Sequence, residues 1–375
     1  MISRQRVYRF WLNVHLWVGL TLGLVVALIG LTGSALVWHD GLEAMLHPAR
    51  SAVSGTEVGQ PLSVYVEQAR EALGPDVRIS GLRLPEEAGD PVVVSGRVPA
   101  EGRPRLLSAW LDPPTGDLLD AGEAGSPFMQ AMHRLHGSLM LPGIGRQLVG
   151  WTGVGLTISA LTGLWLWWPL GGRLLGGLRW RRGLTASSNL HRILGAWISL
   201  PLAVVALTGV WISFPQITRS LFSPAQPERS QAGPPQGRPG FAMPLASPRM
   251  TPEEVLDAAR AAAPAGWPSS INWPTESSSP WRLQWGGGPG AATVLVDDAS
   301  GRARPQRSAT GPQGDDLGRL MRRIHDGNDM GLVWQIVVFL TGVLPTLFGV
   351  TGLMMWLRRR RATRRRSGAR LPAAG

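Results

Sequence analysis

The sequence has no cysteine and no lysine, and none of its 25 acidic residues falls within a long apolar run. Without cysteine the chain makes no disulfide, no iron–sulfur cluster and no thiolate-ligated haem. The missing lysine, beside abundant Arg, Gly, Pro and Ala, reads as the coding bias of a GC-rich genome and says little of function. Apolar runs without carboxylates argue against a coupled transporter, whose ion path is usually marked by buried charge. A hydrolytic constellation is missing as well. Asp40, Glu43 and His47 stand close in sequence with no nucleophile arranged beside them, so no catalytic side chain is assigned.

Four long apolar runs are present: Phe10 to Trp38, Gln147 to Trp168, Leu190 to Phe214 and Gly331 to Leu357. A mean hydropathy of +0.04 conceals them. Each exceeds the roughly 20 residues a helix needs to cross the hydrocarbon layer, and backbone groups in lipid must be satisfied within the segment, so the runs are read as helices. Trp11, Trp17, Trp38, Trp151, Trp165, Trp167, Trp168 and Trp356 gather near their ends, where an amphipathic ring prefers the interface. The reading gives spans at 10–38, 147–168, 190–214 and 331–357, a short loop at 169–189, a basic tail at 358–375, and two long loops at 39–146 and 215–330.

Charge orients the spans. The N-terminal stretch, the short loop with Arg192, and the tail hold 16 arginines and no acid, whereas the long loops hold all 25 acids against 21 arginines. By the positive-inside rule both termini are cytoplasmic and both long loops lie outside. The net charge of +12 is thus a topology signal. Lipid headgroups, rather than nucleic acid, are the expected partner of the Arg-rich tail. The first span is too long for a signal-peptide core and lacks a small-x-small site at its end, so it is expected to remain as an anchor.

The chain also repeats itself. Asn13-Val14-His15, Gly19 and Leu31-Thr32-Gly33 return at an offset of 176 as Asn189-Leu190-His191, Gly195 and Leu207-Thr208-Gly209. Met132, Arg134, His136, Gly153, Thr157, Thr162, Gly163 and Trp167 return at an offset of 189 as Met321, Arg323, His325, Gly342, Thr346, Thr351, Gly352 and Trp356. The expected fold is therefore an α-helical membrane protein of two repeats, each a helix, an outside domain and a helix.

Each outside domain reads as one helix followed by a small antiparallel sheet. In the first, an amphipathic helix from Pro61 precedes strands at Arg78–Leu84, Val92–Gly96 and Leu106–Leu111, closing on the turn Asp112-Pro113-Pro114-Thr115-Gly116. In the second, Thr251-Pro252-Glu253-Glu254 starts a helix. Strands follow near Ser270–Trp273, Trp281–Trp285 and Thr293–Val296, and the turn is Asp297-Asp298-Ala299-Ser300-Gly301. Ser223–Pro248 reads as a linker.

Of seven histidines, only four occupy repeated positions: His15 with His191, and His136 with His325. His39, His47 and His133 meet Pro215, Ser223 and Arg322 at the same offsets. His15 and His191 lie at the cytoplasmic starts of the first and third spans, and His136 and His325 just outside the second and fourth. Two pairs on opposite faces suggest two sites, each able to give a haem iron two axial imidazoles. Gly19 and Gly195, four residues after their histidines, leave a gap one turn away on the same face, such as a flat porphyrin needs. The bland reading is an interfacial histidine and a small-residue packing face. Thr-Gly near each span's end reads as helix packing. Arg134, Arg192 and Arg323 are candidates to pair with haem propionates or to snorkel. His133 and His136 at i, i+3 lack the further ligands a zinc site needs. His39 and His133 remain as alternative ligands.

These residues resemble the PepSY-associated transmembrane-helix proteins. The marks are Asn13-x-His15-x-x-x-Gly19, Leu135-His136-x-x-Leu139, Asn189-Leu190-His191-Arg192-x-x-Gly195, and Ile324-His325 with the Thr351-Gly352-x-x-x-Trp356 ending. Trp110-Leu111-Asp112-Pro113-x-Thr115-Gly116 is similar to the turn of a PepSY domain, from which Asp297-Asp298-Ala299-Ser300-Gly301 departs. The resemblance implies an iron-regulated inner-membrane protein of bacteria with two small α+β PepSY-like domains in the periplasm. It also implies two b-type haems, and kinship with reductases that release iron from siderophores by reducing Fe(III) to Fe(II). Some relatives carry a flavodoxin-reductase-like domain; this sequence ends in the Arg-rich tail, so the donor is expected to be a separate cytoplasmic protein or a quinol.

Two functions from different classes follow. The favoured one is a di-haem electron carrier, a haem-dependent membrane reductase of a ferric chelate, with His15 and His191 as ligands on one face and His136 and His325 on the other. The alternative is a non-redox binding or regulatory protein whose PepSY domains hold a peptide or siderophore, or regulate a peptidase. Replacing the four histidines would silence the first and leave the second unchanged.

Overall fold

The structure, a computed structural model, describes residues 3–100, 104–168, 178–222, 242–263, 266–286, 292–306, 314–328 and 330–368. Residues 223–241 of the expected linker, and Arg173 in the short loop, lie outside these. In chain order the helices are α1 (Arg4–Val37), α2 (His39–Leu46), α3 (Leu62–Leu73), α4 (Pro127–Ser138), α5 (Gly145–Trp167), α6 (Ala186–Ser213), α7 (Pro215–Phe222), α8 (Pro252–Arg260), α9 (Gly314–Asp326) and α10 (Leu332–Gly368). The strands are β1 (Arg78–Arg83), β2 (Val92–Val98), β3 (Arg105–Leu111), β4 (Leu118–Glu123), β5 (Ser270–Asn272), β6 (Pro280–Trp285), β7 (Ala292–Asp297) and β8 (Ala303–Pro305). They form two compact units, one helical and one containing the sheet.

The helical unit comprises residues 1–39, 127–225 and 312–375. Four of its helices, α1, α5, α6 and α10, are long and apolar enough to cross a membrane. They pack in a ring in which α1 touches α5 and α10, and α6 touches the same two, so that α1 and α6 face each other diagonally. Close approach is built from small residues. A Cβ on Gly30 would run into the Gly342 carbonyl, and Ser34 Oγ donates to Phe339 O across the same crossing at 2.8 Å. The start of α6 is fixed by Thr185, whose hydroxyl accepts from Ser188 N, and by the fully buried Asn189, which grips Arg181 through both backbone groups. The chain between Pro127 and Ser138, expected within the first outside domain, instead forms α4, which packs on α1; its counterpart α9 packs on α6. The last span runs on as one helix into the arginines of the tail rather than stopping at 357.

The second unit, residues 40–126 and 226–311, corrects the expectation of two separate small domains. The eight strands form one antiparallel sheet in the order β4-β3-β2-β1-β5-β6-β7-β8. Its seam is the pairing of β1 with β5, where Gly81 meets Asn272, Leu82 meets Ile271 and Arg83 meets Ser270. Alternate residues point to one face, as the pleat requires, and Leu82, Val92, Val94, Leu111, Ile271, Trp281, Leu283, Val294 and Val296 bury there with Tyr65 of α3 and Val255 of α8 in a single core. Each such side chain contributes about 1.5–3 kcal/mol on burial. The two helices meet: Ser63 N of α3 donates to Glu253 Oε1 at the start of α8, whose N-terminus carries a full capping box between Thr251 and Glu254.

The two Asp-rich turns do not close their domains; each leads into a further strand, β4 or β8. Their geometry is the same. Gly116 and Gly301 take positive φ (80° and 66°), and each donates its N–H at 2.9 Å to the carbonyl of the aspartate four residues earlier. Asp112 also accepts from Ser54 N, Ser54 Oγ and Thr115 Oγ1. Burial pushes its carboxyl up, but these three donors outweigh that and hold it below the usual range. In the second turn Asp298, standing where the first has Pro113, takes over the anchoring: it accepts from Arg249 N, Met250 N and the indole of the buried Trp281.

Candidate cofactor sites in the helical unit

The four repeated histidines come together in two pairs. His15 of α1 and His191 of α6 meet across the diagonal of the ring with ring centres 6.2 Å apart and planes at 89°. His136 of α4 and His325 of α9 meet with ring centres 6.0 Å apart and planes at 49°. His136 seats against Ile29 and Gly33 of α1, and His325 against Val205 and Gly209 of α6, in each case about 21–27 Å further along the helix than His15 or His191 at 1.5 Å per residue; the two sites are at opposite ends of the bundle.

Every one of the four rings is seated in the same way. His15 Nδ1 lies 3.0 Å from Ser159 O and 3.2 Å from Thr162 Oγ1. His191 Nδ1 lies 3.0 Å from Thr351 Oγ1, with Phe348 as its backbone partner. His136 Nδ1 lies 2.9 Å from Ile29 O, and His325 Nδ1 lies 3.0 Å from Val205 O and 3.1 Å from Thr208 Oγ1. A carbonyl oxygen only accepts, so Nδ1 carries the proton. The threonines agree: Thr162 and Thr351 donate their own protons to the carbonyls of Ile158 and Leu347, and Thr208 to Val205, which leaves each hydroxyl oxygen free to accept. Nε2 of each ring is thereby left as the free lone pair, the arrangement found when a histidine ligates a metal through one nitrogen and is oriented through the other.

The glycine after each threonine completes the seat. A Cβ would come within 2.6 Å of His136 Cε1 at Gly33, 2.9 Å of His15 Cε1 at Gly163 and 2.9 Å of His325 Cε1 at Gly209. At Gly352 it would be 3.7 Å from His191 Cε1, an ordinary contact. Thr-Gly, read from sequence as helix packing, is thus the ring-holding element of this fold. The sign was available: the dipeptide occurs in each of the four spans, and the repeated histidines are four in number. Gly19 and Gly195 play a different part, for a Cβ on either meets nothing within 4 Å, leaving open space one turn from His15 and His191.

Two imidazoles on opposite sides of one metal ion, each at about 2.0–2.1 Å, would place their ring centres roughly 6 Å apart; the two pairs stand at 6.2 and 6.0 Å. Among the described residues no group of three or more His, Cys, Asp or Glu comes together. Each pair therefore offers two protein ligands, and an ion held there needs the rest of its coordination from a partner such as a porphyrin. For the pair outside the spans, burial and then the neighbouring His325 push His136 down to about 4, and burial lowers His325 also; both rings are neutral near pH 7, the ligating form. Arg192 donates to Arg179 O and to Asn189 Oδ1, so it ties down the preceding loop. His39 and His133, considered as alternative ligands, face each other instead, with ring centres 5.7 Å apart.

Four apolar spans and paired, backbone-anchored imidazoles at both ends define a multi-pass membrane protein with a ligand-ready helical bundle. The chain belongs to the PepSY-associated TM region family, whose model matches residues 12–359. No curated protein matches it.

Proposed function

We propose that this protein is a di-haem electron carrier of the bacterial inner membrane that reduces a ferric chelate, such as a ferrisiderophore, on the periplasmic side. The observation that carries the reading is the pair of imidazole pairs, with ring centres 6.2 and 6.0 Å apart, at opposite ends of one bundle. Two b-type haems, one in each pair, would supply reversible one-electron chemistry. His15 and His191 would hold one haem, and His136 and His325 the other. The Ser159, Phe348, Ile29 and Val205 carbonyls fix each ring's tautomer and raise the basicity of the ligating nitrogen. Gly19 and Gly195 leave room for a flat macrocycle beside the first pair.

The orientation rests on charge. Sixteen arginines and no acid flank one side of the spans, which favours that side as cytoplasmic. The reaction consumes one electron per iron, taking the chelated Fe(III) to Fe(II), with the electron supplied by a cytoplasmic donor or quinol. Reduced protein in detergent is expected to oxidise on addition of a ferric chelate and yield Fe(II) trapped by a ferrous-specific chromophore. His136→Ala and His325→Ala should abolish this. If a haem-loaded, reduced protein stays reduced in the presence of several ferric chelates, the acceptor assignment is wrong; if the chelate binds but the histidine variants behave as wild type, the protein is a non-redox binding module.

A further inference from the structure

We propose that His39 and His133 form a third metal site, for one divalent transition-metal ion, separate from the two pairs described above. It does not depend on the electron-carrier reading. His39 is the first residue of α2, one residue beyond the Trp38 that caps α1, and belongs to the helical unit; His133 lies on α4. Their ring centres are 5.7 Å apart with planes at 53°. That is close to the spacing of the two backbone-anchored pairs, and lies between the roughly 5 Å of tetrahedral ligation at 2.0–2.1 Å and the roughly 6 Å of ligands on opposite sides of one ion.

The repeat does not explain this pair. Its counterparts in the other half are Pro215 and Arg322, so one half of the molecule carries two facing imidazoles where the other carries a cation and a ring without a donor. His39 is half-buried and His133 exposed, so the pair is open to solvent, unlike a structural centre. Asp326 lies near enough to act electrostatically on His133 and offers a negative neighbour to a cation. Among the described residues no third protein ligand completes the set. The ion would therefore keep positions for water or small chelate donors and exchange readily. Imidazole nitrogen suits Zn, Cu, Ni and Fe, so ferrous iron and zinc belong to the class this site takes.

The test is calorimetric titration of the tag-free, detergent-purified full chain with Zn²⁺, which is redox-silent. The expected result is one ion per chain that depends on His39 and His133, counted apart from any taken by the two backbone-anchored pairs. Affinity should fall in His39→Ala and in His133→Ala by at least the roughly tenfold that loss of an outer-shell partner costs, and be retained in His136→Ala. Because His133 is exposed, His133→Gln serves as a second variant that preserves the fold. A folded wild type that takes no zinc, or His39 and His133 variants that bind as wild type does, overturns the proposal. Loss confined to His136→Ala would put the ion at the other pair and overturn it equally. The haem content of the same preparations is read separately from their visible spectrum, so failure here is distinguishable from failure of the redox reading.

Discussion

Gly33, Gly163 and Gly209 are the residues on which the sites turn most sharply, because a single methyl at each would occupy the place of an imidazole carbon. Alanine at Gly163 should displace His15, and alanine at Gly33 or Gly209 should displace His136 or His325. Each is expected to lower haem content from about two per chain to about one. Gly352→Ala, where the new carbon would sit 3.7 Å from His191, should keep both. Pyridine haemochrome assays of the four variants check this; equal loss in all four, or in none, would show that the glycines do not seat the rings. Asp112 makes a second residue-scale case. Its folded value is depressed, so the stability it contributes is present above the unfolded value of about 3.9 and is lost as pH falls through the folded one. The sheet unit should unfold at lower temperature on acidification below about pH 4, and Asp112→Asn should flatten that dependence. Parallel pH curves for the variant and the wild type would remove Asp112 from the account. At this scale repetition in the sequence marked the four histidines that the fold brings together in two pairs, but not what holds them. A Thr-Gly pair within an apolar helix reads equally well as packing, and the ring it faces comes from another helix far along the chain.

At the scale of elements, the four spans were legible because length and apolarity alone decide them, and the helices α3 and α8 because their caps and periodicity are local. The strands β4 and β8 were not. Leu118–Glu123 alternates weakly and Ala303–Pro305 is only 3 residues long, too short to show a period. Nor was the joining of the two half-sheets visible, since β1 pairs with β5 across two membrane spans' worth of intervening chain. That seam has a consequence. Ile271 and Leu82 oppose each other in one core, so a charge at either should loosen both halves together. Ile271→Asp is expected to cut amide hydrogen-exchange protection in β1–β3 as well as in β5–β7. Protection lost only in β5–β7 would mean that the halves fold independently.

At the scale of the whole molecule, the segregation of arginine from acid predicts orientation, and the chain's lack of cysteine makes it a ready background for testing it. Single cysteines placed at Arg182 and at Asp90 should react oppositely with a membrane-impermeant thiol reagent in whole cells: blocked at the first, labelled at the second. Labelling of both, or the reverse pattern, would overturn the orientation. The central claim is that two bis-histidine haem sites stand at the two ends of one bundle. The measurement that tests it most directly is the visible spectrum of the detergent-purified protein, oxidised and then dithionite-reduced, with pyridine haemochrome quantitation. The account predicts sharp low-spin bands and about two haems per chain, falling to about one when either His15 or His325 is replaced by alanine. A featureless spectrum from well-folded protein would contradict it.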